Sequence, residues 1–346
     1  MRSDVIYSIA LTASCRANVL IRINSLMDKR EIAKTGLRVT SLCFGASGLG
    51  NMPDTYGYEV DETRAQATLE AIFEGPVNFL DTSNNYGFGR SEARIGAAIK
   101  AYGGLPEGFV LSTKLDRDME TGRFDAARAR QSIEESLTRL GVDSVPLLHL
   151  HDPEHASDLK EVTREGGALD ELFKLKEEGI AKAVGLAAGP IDVMFPLLRE
   201  RPFDALISHN RYTVLNRSAA EMIEYAYNEG IAVLNAAPYA GGVLAKGSVE
   251  MPQLTYQSAD KEALAPVRAV EDICRKYEVP SGALALQFAI RNSRVTSTVV
   301  GVSKPERVTQ SLDWASLAIP QELWDEIDRL PFSSDDPEAN REYKPG

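Results

Sequence analysis

From residue 36 onward, short apolar runs alternate with longer segments whose apolar residues recur every three or four positions. The short runs predict eight strands, at residues 37–45, 77–83, 108–114, 145–152, 181–187, 203–209, 231–238 and 297–303. The longer segments predict helices, at residues 62–75, 91–103, 123–141, 167–179, 190–198, 218–230, 261–277, 281–292 and 305–315. Because the strands are apolar throughout rather than alternating, both faces of their sheet are expected to be covered.

This order of elements predicts an α/β protein with one (β/α)8 TIM barrel as its single domain. Strict alternation of strand and helix implies a parallel sheet, and eight such units close into a barrel. The alternative, a doubly wound sheet, normally carries Gly-x-Gly-x-x-Gly after its first strand, whereas residues 45–50 read GASGLG. No linker rich in Pro, Gly or Ser divides the chain. We expect the barrel to span residues 27–332, followed by a polar tail at 333–346 that is mobile or wrapped over the surface.

The first 26 residues are expected to be a disordered extension without catalytic consequence. An apolar run at residues 5–13 resembles part of a signal sequence, but Asp4 interrupts the basic start and no clear cleavage site follows. Met27 is therefore the expected start of the folded protein.

Composition narrows the class of partner and the compartment. The formal net charge is −12, which argues against nucleic acid and anionic membranes as partners. No stretch approaches the roughly 18 apolar residues of a membrane span. The cysteines Cys15, Cys43 and Cys274 are widely spaced and form neither a disulfide framework nor a metal-binding pattern. We therefore expect a reducing, cytoplasmic location and no metal ion.

The carboxyl ends of three consecutive predicted strands carry an acid, a phenol, an amine and an imidazole: Asp81, Tyr86, Lys114 and His151. Active sites of (β/α)8 barrels lie at this end of the strands. Each residue alone would more often be a solvated loop residue or a hydrogen-bonded core residue, but their joint occurrence favours a site. An ammonium lowers the pKa of a nearby phenol, and an imidazole can donate a hydrogen bond to a carbonyl or alkoxide. The set predicts stabilisation of charge on oxygen during hydride transfer.

Five segments resemble the aldo-keto reductase superfamily and follow its order over residues 32 to about 330: TGLRVTSLCFG, FLDTSNNYGFGRSEARIG, LSTK, LLHLHDP and VVGVSKPERV. The most specific is Asp-x4-Tyr-Gly with Ser-Glu shortly after it. The resemblance implies a catalytic tetrad of Asp81, Tyr86, Lys114 and His151. His149 shares a strand face with His151 and is expected to pack inside the barrel rather than to act in catalysis.

The loop after the eighth strand is the expected phosphate site. Pro305 suits the first turn of the next helix, and Lys304 and Arg307 can hold phosphate there; two solvated surface cations are the alternative. In the family this region holds the adenosine phosphates of NAD or NADP without a Rossmann fold. The sequence leaves the choice between NAD and NADP open. The residues expected at the cofactor are Gly45, Asp81, Asn210, Tyr239, Gly301, Ser303, Lys304, Arg307 and Ser311.

Three places depart from the pattern that many family members use to hold the nicotinamide. Residues 187–189 read AAG where many members have Ser-Asn, Ala236 stands where many have a stacking Tyr, and Ser311 where many have Asn. Tyr239 lies shortly after Ala236, and three residues after the sixth strand are the expected substitutes: Asn210, Arg211 and Tyr212.

The segments NRYTVLN, NAAPYAGGVL and VVGVSKPERV are similar to the sugar 1-dehydrogenases of the superfamily, the D-threo-aldose (L-fucose) type, and their pyridoxal 4-dehydrogenase relatives. This similarity implies an NAD(P)-dependent oxidoreductase that converts the C1 hydroxyl of a small sugar to a lactone, or acts on an aldehyde or alcohol. The alternatives are a general aldehyde reductase and a cofactor-sensing regulatory protein, as in potassium-channel β subunits. A metal-dependent barrel would need more ligands at the strand ends. Specificity is expected from loops 50–60 and 239–260.

Overall fold

The computed structural model describes residues 29–341, so the expected extension at residues 1–26 and Cys15 lie outside the described residues. Eight parallel strands form a closed barrel, in which each strand pairs with the next and the eighth pairs with the first. Their bounds are Leu42–Gly45, Phe79–Asp81, Val110–Leu115, Val145–His151, Ala181–Ala188, Ala205–His209, Ala232–Ala236 and Ser297–Gly301. The prediction of a single (β/α)8 barrel is confirmed.

Helices follow the strands and cover the outside of the barrel. Their bounds are Glu62–Phe73, Arg90–Tyr102, Ala126–Leu140, Ala168–Glu177, Ile191–Glu200, Ala220–Asn228, Ala265–Lys276, Ser281–Ile290, Pro305–Ser316 and Gln321–Ile327. Shorter helical segments lie in the loops at Ser47–Gly50, Pro53–Tyr56, Pro153–His155, Leu159–Thr163, Ala240–Gly242 and Val243–Lys246. The side chains of Asp61 and Asp125 accept hydrogen bonds from backbone N–H groups in the first turns of two helices, which fixes where those helices begin.

The predicted first strand, residues 37–45, is divided in the structure. Only Leu42–Gly45 belongs to the barrel, while Arg38–Val39 pairs antiparallel with Arg30–Glu31 in a hairpin. The side chain of Asn78 accepts from the backbone N–H of Thr40 and holds the chain at the bend. The hairpin residues Ile32, Leu37 and Val39 join the cluster of apolar side chains that includes Cys43, Phe79, Val110 and Leu147. The expectation of one continuous strand was wrong because a continuous apolar pattern does not reveal a bend.

His149 lies wholly inside the barrel, as the sequence suggested. It stands opposite Gly185 on the neighbouring strand. A Cβ atom on Gly185 would lie 2.4 Å from the ring carbon Cδ2 of His149 and 2.8 Å from the carbonyl oxygen of Ala205. The missing side chain of Gly185 is therefore what makes room for the imidazole.

The tail is described as far as Arg341 and lies across the carboxyl end of the sixth strand. Asp336 forms an ion pair of 2.7 Å with the buried guanidinium of Arg211. Glu338 accepts a hydrogen bond from the side-chain amide of Asn210 and lies 2.9 Å from Nε2 of His209. The side chains of Arg211, Asn210 and His209 thus hold a polar segment whose sequence offers no apolar anchor. We propose that this tail is part of the folded domain rather than a separate mobile segment.

Within residues 29–341, no helix is both long enough and apolar enough to cross a membrane. In the same part of the chain, no group of three or more His, Cys, Asp or Glu side chains is placed to hold a metal ion. Cys43 and Cys274 are buried free thiols.

We expect Gly185→Ala to destabilise the fold by about 1–3 kcal/mol, since the new methyl group must displace both an imidazole and a backbone carbonyl. Denaturant unfolding of the purified variant measures this change. Gly301→Ala is the matched control, because Gly301 also lies on a barrel strand and its Cβ would meet nothing within 4 Å. Equal stability of the two variants would contradict the packing role assigned to Gly185.

Candidate active site

A cavity of about 470 Å³ opens at the carboxyl ends of the barrel strands. All four residues of the predicted tetrad line it: Asp81, Tyr86, Lys114 and His151. Asp81 ends the second strand, Lys114 lies near the end of the third, and His151 ends the fourth. The three side chains therefore lie at the carboxyl ends of three consecutive parallel strands, as the sequence predicted.

Lys114 and Asp81 form a buried ion pair, with 2.7 Å between Nζ and Oδ2. The other carboxylate oxygen of Asp81 accepts from the hydroxyl of Ser112 at 2.6 Å, and Nζ of Lys114 also donates to the carbonyl oxygen of Thr82. Only 1% of Lys114 is exposed. The buried ammonium thus has a counter-charge and a backbone acceptor, and the buried carboxylate has a second donor.

Tyr86 lies in the turn that follows the second strand. Its ring centre is 4.9 Å from Nζ of Lys114, and the ring meets that of His151 edge to face at 5.8 Å. The turn can sit here because Gly87 and Gly50 approach each other closely: a Cβ on Gly87, which has a φ of +60°, would lie 1.9 Å from the carbonyl oxygen of Gly50. Only glycine is compatible with both the angle and the contact.

The pKa of Tyr86 differs from the expectation. Burial raises it well above its ordinary value of 10.0, and the negative charges of Asp81, Asp152 and Asp116 raise it further. The sequence analysis expected Lys114 to lower this pKa. The net shift is opposite to that expectation, because burial, the largest cause, and the nearby negative charges outweigh an ammonium that is itself paired with Asp81 at 2.7 Å. These causes favour the neutral phenol, which can donate a proton.

His151 is tied to a residue that the sequence analysis did not single out, Asp116. Nδ1 of His151 lies 2.7 Å from Oδ1 of Asp116 and 3.1 Å from the hydroxyl oxygen of Ser83. Burial favours the neutral ring, but the charges of Asp152 and Asp116 outweigh it and raise the pKa of His151. Burial would likewise raise the pKa of Asp116, yet the charge and hydrogen bond of His151 lower it. The pair therefore favours imidazolium and carboxylate.

Seven other residues of the cavity lining are among those expected at the cofactor: Gly45, Tyr239, Gly301, Ser303, Lys304, Arg307 and Ser311. Ser303, Lys304 and Arg307 mark one end of the cavity. The helix Pro305–Ser316 begins here, so its free N–H groups face the same end as the side chains of Lys304 and Arg307. Ser311 bonds back to the carbonyl oxygen of Arg307 at 2.8 Å. Tyr239 meets Trp314 edge to face at 5.9 Å. The cations and the helix N-terminus make this end suited to an anion.

Asn210 is not brought to the cavity. It has a positive φ of 58°, and its side-chain amide donates to Glu338 of the tail. Arg211 faces Asp336 in the same way. Both residues hold the tail, so the expectation that Asn210 contacts the cofactor is not supported by its position. Tyr212 also points away, since its hydroxyl accepts from Asn292 at 2.8 Å.

Arg64 is a lining residue that the sequence analysis missed. It lies on the first helix after the first strand, and its Nε donates to the carbonyl oxygen of Ser303 at 2.6 Å. A second nitrogen of the guanidinium donates to the hydroxyl of Ser303 at 3.3 Å. The two residues are 239 positions apart, so no local signal could have joined them. Asp116 was easier to find, because it follows Lys114 by two positions at a strand end.

The two loops expected to set specificity form much of the cavity wall. Loop 50–60 contributes Met52, Tyr56 and Tyr58, and loop 239–260 contributes Met251, Gln253 and Tyr256. Arg341 of the tail also lines the cavity, with its guanidinium 4.5 Å from the ring centre of Tyr256. A wall that combines aromatic rings with amide groups suits a small polar molecule that also has an apolar face.

The sequence profile of the aldo/keto reductase family matches residues 41–331. L-galactose dehydrogenase of Arabidopsis thaliana is 32% identical over 311 residues, covering 88% of this chain and 94% of that protein. D-threo-aldose 1-dehydrogenase of a Pseudomonas species is 32% identical over 327 residues, covering 85% and 95%. Pyridoxal 4-dehydrogenase of Microbacterium luteolum is 29% identical over 334 residues, covering 86% and 95%.

Among solved structures, an aldo-keto reductase of Bacillus halodurans in its holo form has the same fold, with a TM-score of 0.72 at 23% identity over 91% of this chain and all of that chain. The fold and the family profile together define a (β/α)8 oxidoreductase. The chain belongs to the aldo/keto reductase family. The predicted similarity to sugar 1-dehydrogenases and pyridoxal 4-dehydrogenase is confirmed.

We expect Lys114→Met to lower the free energy of unfolding by about 3–5 kcal/mol, since it leaves the buried carboxylate of Asp81 without its counter-charge. The double variant Lys114→Met/Asp81→Asn should recover a large part of this loss, because it removes the orphaned charge. Denaturant unfolding of the wild type, the single variant and the double variant gives the three free energies of unfolding. Lys276→Met, which removes an exposed pair with Glu326, is the control and should change stability far less. No recovery in the double variant would contradict the role of the ion pair.

Proposed function

We propose that this chain transfers a hydride between NAD or NADP and a small sugar or aldehyde. For a sugar, the reaction would oxidise the C1 hydroxyl of an aldose to a lactone. One observation carries the proposal: Tyr86, His151 and the buried Lys114–Asp81 pair meet at one cavity whose far end is cationic.

The residues at the cationic end fit a dinucleotide. Lys304, Arg307 and Arg64 supply positive charge beside a helix N-terminus, which is the donor set that binds phosphate groups. Gly301 leaves open space on the strand that leads to them, because a Cβ there would meet nothing within 4 Å. When bound, the nicotinamide ring would supply the carbon that gives or accepts the hydride.

Tyr86 would donate the proton to the carbonyl oxygen during reduction and take it back during oxidation. Its raised pKa favours the protonated phenol in the free protein, which suits the donor role in the reducing direction; in oxidation the phenolate oxygen would accept the hydroxyl proton of the substrate. The ammonium of the Lys114–Asp81 pair lies 4.9 Å from the centre of the Tyr86 ring and would help to hold that ring in place. His151 would hold the substrate oxygen by a hydrogen bond from its ring.

The proposed substrate class follows from the relatives and the cavity wall. The proteins that are about 30% identical are named for L-galactose, D-threo-aldoses and pyridoxal. The wall combines Tyr56, Tyr256 and Gln253 with Arg341, so it offers both stacking surfaces and hydrogen-bond donors. A compact polyhydroxylated ring or a pyridine aldehyde matches such a wall.

The test is the absorbance of NADH or NADPH during incubation of the purified protein with either cofactor and a panel of substrates. The panel contains L-galactose, L-fucose, D-arabinose, pyridoxal and simple aldehydes. Turnover of free sugars supports the aldose 1-dehydrogenase reaction, whereas turnover of aldehydes alone would make the protein a general carbonyl reductase. Tight cofactor binding without turnover of any substrate would contradict the proposal and favour a cofactor-sensing role.

We expect Tyr86→Phe to lower kcat by about 10²–10⁴-fold, because the variant keeps the ring but loses the proton donor. Cofactor affinity should be unchanged, as measured by quenching of tryptophan fluorescence. Tyr227→Phe is the matched control, since Tyr227 is 52% exposed on the barrel surface. A near-normal kcat in Tyr86→Phe would contradict the assignment of Tyr86 as the proton donor.

A further inference from the structure

The proposed reaction does not by itself assign a role to Asp116. Its side chain is fully buried and lies outside the set of residues that line the cavity. Oδ1 is 2.7 Å from Nδ1 of His151, and Oδ2 accepts from the hydroxyl of Ser83 at 2.5 Å and from the backbone N–H of Asn85 at 3.1 Å. A buried carboxylate with this many donors is built to stay ionised and fixed in place.

These contacts decide which nitrogen of His151 carries a proton. Asp116 is ionised, so it can only accept a hydrogen bond. The hydroxyl of Ser83 has one proton, and its shortest contact is to Asp116 at 2.5 Å rather than to Nδ1 at 3.1 Å. Nδ1 of His151 must therefore be the donor to Asp116. The position of the proton on the His151 ring therefore follows from its distances to Asp116 and Ser83.

We propose that Asp116 is a positioning residue that fixes a proton on Nδ1 of His151, so that Nε2 can donate to the substrate oxygen only when the ring is an imidazolium. This inference rests on the proposed function for the role of the substrate oxygen. A neutral ring with its proton on Nδ1 has a bare Nε2, which can accept a hydrogen bond but cannot donate one. A charged donor is also roughly twice as strong as a neutral one toward developing negative charge.

The other charged and titratable groups around His151 come from four places: its own strand, the turn after it, the third strand and the turn after the second strand. They are Asp152, His149, His155, Lys114 and Tyr86. Asp152 contributes negative charge, with Oδ2 at 3.6 Å from Nε2, too far for a hydrogen bond. Asp152 and Asp116 raise the pKa of His151 against burial and against Lys114. The imidazolium is thus favoured up to a pH above the ordinary histidine pKa.

Asp116→Asn is expected to reverse the tautomer. The site of Oδ2 receives the backbone N–H of Asn85 and the hydroxyl of Ser83, so only an acceptor fits there. The amide oxygen of the new Asn must take that site, which turns its NH2 group toward Nδ1 of His151. Nδ1 then becomes an acceptor, and the neutral ring carries its proton on Nε2.

The test is 15N NMR of histidine-labelled protein across pH 5–10, with the resonances of His151 assigned by comparison with His151→Gln. We expect the wild type to show a raised titration midpoint and, above it, a neutral ring protonated on Nδ1. Asp116→Asn should show the Nε2 proton and no titration near neutral pH. Asp152→Asn should lower the midpoint and keep the Nδ1 proton, and Asp118→Asn, at a half-buried position in the loop after the third strand, should change neither.

Kinetics give a second readout in the reducing direction. In the wild type, kcat/KM should fall as pH rises through the midpoint of His151, because deprotonation removes the Nε2 donor. Asp116→Asn should lose this pH dependence and be about tenfold slower at pH 7, since a neutral donor replaces a charged one. If Asp116→Asn does not fold, the wild type and Asp152→Asn still test the proposal through their titration midpoints and their pH dependence of kcat/KM.

A wild-type ring that is neutral at pH 7 with its proton on Nε2 would overturn the proposal. So would an Asp116→Asn variant with the wild-type tautomer and midpoint. If the substrate panel shows no turnover while the NMR results are as expected, the proposed function fails but the assignment of Asp116 stands.

Discussion

The site depends on one buried interaction, the ion pair between Lys114 and Asp81 in the barrel interior. A buried ammonium is tolerated only when its partners are fixed, and here Asp81, Thr82 and the barrel register supply them. The pair in turn leaves little net charge to act on Tyr86, whose ring lies 4.9 Å from Nζ. The phenol therefore responds mainly to burial and keeps its proton.

A second balanced pair, Asp116 with His151, lies beside the first and has a different consequence. Lys114 is paired with Asp81, whereas the pKa of His151 is raised by Asp152 and Asp116 against burial. Asp116 and Ser83 tie down one ring nitrogen and leave the other for the cavity. In this account one fixed cation orients the proton donor, and one titrating cation binds the reacting oxygen.

The sequence was sufficient to predict the barrel and to place Asp81, Tyr86, Lys114 and His151 at one end of it, because strand ends in a parallel barrel share one face. It could not supply contacts between distant segments: Arg64 meets Ser303, and the tail meets Asn210, across more than a hundred positions. It also misjudged the direction of the pKa shift of Tyr86, because the largest cause is burial in the folded barrel, and a motif does not contain the extent of burial.

The central claim is that burial beside a neutralised ion pair keeps Tyr86 protonated, and 13C NMR of tyrosine labelled at Cζ tests it most directly. The resonance of Tyr86, assigned by its loss in Tyr86→Phe, reports phenol and phenolate as separate chemical shifts. The account predicts the phenol shift up to and beyond pH 10, in line with a pKa raised above the ordinary value. A midpoint below pH 10 would contradict it and show that Lys114 acts on Tyr86 as an unbalanced charge.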